Sequence, residues 1–150
     1  MPVGGTFRGA RIQCLNMNHL PKITIKPIPH EWHRYETVGD YYESDFTLPY
    51  GQKKWNFRVS KTNADYEFLV VIHELVEWFL AQKRGIKEED IYAFDTAFEA
   101  KRVQGNTDEP GNDEDAPYRK EHEFAEMIER LIAKELGIEW AKYDEVISKL

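Results

Sequence analysis

A single cysteine, Cys14, stands in 150 residues. It excludes an internal disulfide and any multi-cysteine metal knot, and it fits a reducing compartment. The expected location is therefore the cytoplasm. No stretch approaches the roughly 20 apolar residues of a membrane span; Val70-Val71-Ile72 is short, and charge follows at once. Met1 to Ala10 holds no apolar segment of signal-peptide length. Basic charge is also scarce, with 20 Lys and Arg against 27 Asp and Glu and a net charge of -7. That balance argues against a protein that grips nucleic-acid backbone. A small anionic substrate would need a metal to supply positive charge. There is no Gly-rich phosphate loop and no GxSxG elbow.

What is present suits one folded domain. The length allows a sizeable core, and 41% hydrophobic with 13% aromatic residues is far from a disordered composition. Residues 1–20 carry early glycines without a clear period and read as a loose arm, with Met17 as a candidate alternative start. Residues 21–150 read as a single α+β domain. Lys22 to Lys26 alternates, with Ile23 and Ile25 on one side, until Pro27 and Pro29. Arg34 to Tyr42 is rich in Tyr, Thr and Val, and Trp32, Tyr35, Tyr41 and Tyr42 suit sheet packing. Lys54 to Ser60 places Trp55, Phe57 and Val59 on one face. These strands form an expected N-terminal antiparallel meander with one buried face.

Helices follow. Thr62-Asn63-Ala64-Asp65 supplies a capping signal for a helix ending at Arg84, with Gly85 as its left-handed terminator. A second helix spans Glu88 to Val103, its first turn acidic. Residues 105–117 hold five acids, two prolines and two glycines and read as a solvated loop without EF-hand spacing. Asp115 or Ala116 then caps a third helix, with Pro117 in its first turn, that stops at Gly137; Trp140 to Leu150 suits a short fourth. Strands first and helices after predict three to four helices packed on one sheet face.

The chemistry lies in a repeated pattern. His73-Glu74-Leu75-Val76-Glu77 recurs as His122-Glu123-Phe124-Ala125-Glu126. At about 100° per residue, the last Glu of each HExxE lies about 40° from its His and the first Glu about 100° away. Imidazole and carboxylate at i and i+4 are helix neighbours and can chelate one ion. The intervening Glu points beside that ion, where a general base would hold a water. Apolar neighbours crowd His73 to Glu77, so its carboxylates need compensation. A divalent cation provides it; a buried cluster of salt bridges is the alternative. The second segment sits among Arg119, Lys120, Glu129 and Arg130, and taken alone suits a solvated helix face. The metal reading assigns His73, Glu77 and His122 as ligands, Glu126 as a fourth and Glu74 as the base, with Zn²⁺ first and Mn²⁺, Fe²⁺ or Mg²⁺ as other candidates. Asp95, i to i+4 with Glu99, is a candidate to orient a ligating His; an ordinary salt bridge is its alternative. His19, His30 and His33 form no metal spacing.

The segment 54–84 resembles the zincin metallopeptidases, whose helix carries HExxH. His73 and Glu74 match the first ligand and the base, and Glu77 stands where the second His belongs. The resemblance implies a metal-dependent hydrolase, or a degenerate relative, acting on a peptide or small molecule. Glu74-Leu75-Val76-Glu77 and Glu123-Phe124-Ala125-Glu126 also resemble the paired acidic segments of MazG-type nucleotide pyrophosphohydrolases, which implies Mg²⁺ chemistry on four Glu residues. The whole chain, from Tyr35-Glu36-Thr37-Val38-Gly39-Asp40 through Phe94-Asp95, Glu109-Pro110-Gly111 and Ala116-Pro117-Tyr118-Arg119 to the second HExxE, is similar to small uncharacterised proteins of bacteriophages and prophages. That setting implies a bacterial host cell and leaves open a non-catalytic protein that binds a host protein.

Overall fold

A computed structural model describes residues 18–150. Cys14 and Met17, and most of the expected arm, lie outside the described residues. Three strands, β1 (Lys22–Ile28), β2 (Gly39–Glu43) and β3 (Lys54–Ser60), precede four helices, α1 (Ala64–Lys83), α2 (Glu88–Ala100), α3 (Arg119–Glu135) and α4 (Trp140–Ile147). The class is α+β, with the strands before the helices.

The sheet order is β1-β3-β2. The expected antiparallel meander is corrected in one pairing: β2 runs antiparallel to β3, Tyr41 opposite Phe57, but β1 runs parallel to it, Ile23 opposite Trp55. Strand alternation sets which face is buried and is silent on direction. The segment from Pro29 to Val38 carries the chain over so that β1 and β2 flank β3. Its central place explains why Trp55, Phe57 and Val59 are buried while Ile25, on the outer strand β1, is exposed.

Helix α1 crosses this buried face. Asn63 caps it by accepting the Tyr66 N–H at 3.0 Å, while Glu67 accepts the Thr62 N–H. Its C-terminus closes in a Schellman turn: Gly85 has φ 71, Gly85 N–H bonds Gln82, and Ile86 N–H bonds Ala81. Trp78 from α1 packs edge-on against Phe57 with ring centroids 5.4 Å apart. Burying side chains of this size stabilises the fold by on the order of 2–3 kcal/mol each.

Helix α3 lies against α1. Ala125 and Ala133, both fully buried, let the two backbones approach. The rest of the buried stripe on α3 is polar: Glu121, His122 and Glu129. Tyr118 occupies the cap position of α3 and offers no side-chain bond there, so neither Asp115 nor Ala116 caps it. Among the described residues no helix is long and apolar enough to cross a membrane.

Candidate metal centre

The two helices with the deepest polar residues meet along one seam. On α1, His73 and Glu77 are one turn apart and are 8% and 5% exposed. His122, from the first turn of α3, is 6% exposed and faces them. His73 Nε2 and His122 Nδ1 are 3.1 Å apart. Glu77 Oε2 lies 3.3 Å from the first and 3.0 Å from the second. Three candidate ligand atoms thus form a small triangle, a His/Glu/His group that can hold a metal ion. Ligands at about 2.1 Å from a cation have edges of about 3.0 Å when octahedral and about 3.4 Å when tetrahedral. The observed edges, 3.0 to 3.3 Å, lie within that interval.

The surroundings orient the triangle. His73 Nδ1 donates to Glu129 Oε2 at 2.8 Å, which leaves the Nε2 lone pair facing the triangle. Glu129 is 6% exposed, and its other oxygen accepts the Tyr143 hydroxyl of α4. Glu109 Oε2 sits 2.9 Å from His122 Nε2, near enough for charge pairing but off the N–H direction. Glu77 Oε1 accepts the Tyr41 hydroxyl of β2 at 2.9 Å. His73 thus has the carboxylate–imidazole bond that holds a ligating ring, and His122 has a carboxylate beside its outer nitrogen.

The electrostatics favour positive charge at the triangle. Burial works against the charged form of His122, but the adjacent Glu109 and Glu77 carboxylates lift it to about 9. Burial opposes charge on His73 too, and Glu129 and Glu77 raise it well above its ordinary value. Burial would raise Glu77, and bonds from His122 and His73 pull it down to about 2. Two ring N–H groups directed at one Glu77 oxygen, their nitrogens only 3.1 Å apart, bring two positive rings into contact and repel each other. A cation supplies the same charge without those hydrogens.

Glu74 lies beside the triangle in the wall of a cavity of about 470 Å³. Burial first, and then the neighbouring Glu77 carboxylate, push its pKa well above the usual carboxylate range. Gly39 of β2 is pressed against it: a Cβ there would fall 2.4 Å from Glu74 Oε1. Gly111 does the same for His122, where a Cβ would fall 2.3 Å from Cγ. Both glycines are there because another residue's side chain fills the space.

Of the residues named from sequence, His73, Glu77 and His122 converge, and Glu74 borders them. Glu126 lines the cavity but pairs with Arg130 at 2.9 Å and stands outside the triangle. Glu123 is exposed and pairs with Arg119, so the four Glu residues of the two HExxE segments do not gather. Asp95 holds no histidine. It accepts the Tyr35 and Tyr118 hydroxyls at 3.0 and 2.6 Å, and Glu99 pairs with Arg102. His30 and His33 meet on the Ser60 hydroxyl. Sequence reasoning missed Glu129, Tyr143, Tyr41 and Glu109. The loop read as solvated is exposed at most positions, but one oxygen of Glu109 reaches His122, Gly111 packs against that ring and Ala116 is buried. Comparison with protein-family models, curated proteins and solved structures finds no match.

Proposed function

We propose that this protein is a metal-dependent hydrolase. His73, Glu77 and His122 hold one divalent cation, Zn²⁺ by preference for two imidazoles and a carboxylate. The supporting observation is the triangle itself, with edges of 3.0 to 3.3 Å between three buried ligand atoms. Such a cation, with a position left open, acts as a Lewis acid and lowers the pKa of a water. Glu74 takes the proton from the attacking water and passes it to the leaving group. Tyr41 and Glu129 keep Glu77 and His73 in their orientations. Glu126 is not needed as a ligand in this arrangement.

The test has two parts. Protein purified without chelators should carry about one equivalent of zinc, or take it up when added; less than about one-tenth of an equivalent after Zn²⁺ and Mn²⁺ addition removes the reading, since this donor set suits both ions. A panel of peptide and ester substrates is then assayed with wild type and Glu74→Gln. The variant should keep its metal and lose about 10²- to 10⁴-fold in kcat, the share of a general base. Equal turnover by both would remove Glu74 from the chemistry.

A further inference from the structure

The cavity beside the triangle has a lopsided charge. Among the described residues, its lining holds twelve carboxylate side chains, one guanidinium and no lysine. The one guanidinium, Arg102, is spent: it bonds both oxygens of Glu99 and the carbonyls of Asn106 and Asp108. Several of the carboxylates are balanced, as Glu88 and Asp40 are by Arg34. The side chains of Asp108 and Asp144 line the wall without an ion-pair partner among the described residues. Independently, Glu74 faces the same space with no hydrogen-bond or ion-pair partner among the described residues, although it lies beside the buried triangle. A divalent cation neutralises part of this field and leaves it negative.

We infer that the cavity selects a cationic peptide, one carrying lysine or arginine next to the bond presented to the metal centre. This rests on the hydrolase reading and names its substrate class. A cleft of one sign concentrates ligands of the other and repels like charge. A nucleoside triphosphate, the substrate of the pyrophosphohydrolase alternative, would bring several negative charges into a wall with no free cationic side chain among the described residues. Asp108 and Asp144, both exposed in the cavity lining, are the acceptors for the lysine ammonium of a peptide whose carbonyl is presented to the triangle and Glu74.

The experiment uses the zinc-loaded full chain and three probes. Two are capped hexapeptides identical except for a central Lys-Lys or Glu-Glu pair, and the third is ATP. Binding is measured by fluorescence anisotropy, at low and at high salt. The lysine peptide should bind at least about tenfold more tightly than either anion, and the preference should shrink as salt rises. The double variant Asp108→Asn, Asp144→Asn should weaken the lysine peptide about threefold or more with zinc content unchanged. Equal affinities, tighter ATP, no binding by any probe, or a lysine-peptide affinity untouched by the double variant would each overturn the inference while the hydrolase reading stands. Failure to load zinc would remove both.

Discussion

Replacing Glu129 by alanine tests the centre at the point where sequence reasoning was blind. The carboxylate joins three elements: it accepts His73 Nδ1–H at 2.8 Å and the Tyr143 hydroxyl, and it stands on α3. Truncation leaves two buried donors without an acceptor, each at a cost of about 1–3 kcal/mol. Together they lower the stability by about 2–6 kcal/mol, and for a chain of this size Tm falls on the order of 10 °C. The effect on the metal is separate. With Glu129 gone, His73 is free to rotate or to carry its proton on Nε2, the nitrogen that faces the triangle. Loss of such an outer carboxylate weakens metal binding about 10- to 100-fold, equivalent to about 1.4–2.7 kcal/mol.

The assay is competition for zinc against a chromophoric chelator, read beside thermal unfolding of the metal-free protein. Glu129→Gln separates charge from shape. Its amide oxygen accepts from His73, and its NH₂ donates to Tyr143, whose hydroxyl turns to accept. The expected order of zinc affinity is wild type, Gln, then Ala. The glutamine variant should lose less than about tenfold and keep most of its Tm. Zinc affinity unchanged in a folded Glu129→Ala protein would refute the claim that this carboxylate orients the ligand.

Two further outcomes follow from close contacts and burial. Gly111→Ala puts a methyl 2.3 Å from His122 Cγ, and the ring is backed by Glu77 and His73, so the covering loop must lift; overpacking of about 1–3 kcal/mol should lower Tm and weaken zinc binding, and an unchanged pair of values would show that Gly111 does not press on His122. Asp95 is pushed up to about 7 by burial, against the pull of the Tyr118 and Tyr35 hydroxyls. Its folded pKa lies above the unfolded value of about 3.9, so the stability it contributes is present at low pH and is lost as pH rises through about 7. Asp95→Asn never ionises; in the metal-free protein its Tm advantage over wild type should grow between about pH 5 and pH 8, and a pH-independent difference would refute the assignment.

Local geometry was the legible part of this chain. The cap at Asn63, the glycine stop at Gly85 and the burial of Trp55, Phe57 and Val59 follow from patterns that span a few residues. So does the sharing of one helix face by His73 and Glu77. The direction of β1 was not legible, because an alternating strand buries the same face whether its neighbour runs parallel or antiparallel. The acidic loop misled for a related reason. Composition describes its average, and Thr107, Asp108 and Glu109 are indeed exposed, but one oxygen of Glu109 reaches the His122 ring and Gly111 and Ala116 are buried at single positions.

The choice between Glu126 and Glu129 shows how far helix arithmetic could have gone. Counted from His122, Glu126 lies at about 40° and Glu129, two turns on, at about -20°. Glu129 is therefore nearer to the direction in which His122 points, and it is the one buried against His73, while Glu126 turns to Arg130. The repeated HExxE drew attention to the i+4 residue because the motif repeats there. The buried stripe on α3 runs instead through His122, Ala125, Glu129 and Ala133, a seam of small and polar residues set to meet α1. A carboxylate seven residues beyond a buried histidine, with alanines between and after, marks a residue that serves the opposite helix. In this protein that residue orients His73, and the two helices build one centre by each correcting the other's histidine: α1 offers Glu77 to His122, and α3 offers Glu129 to His73.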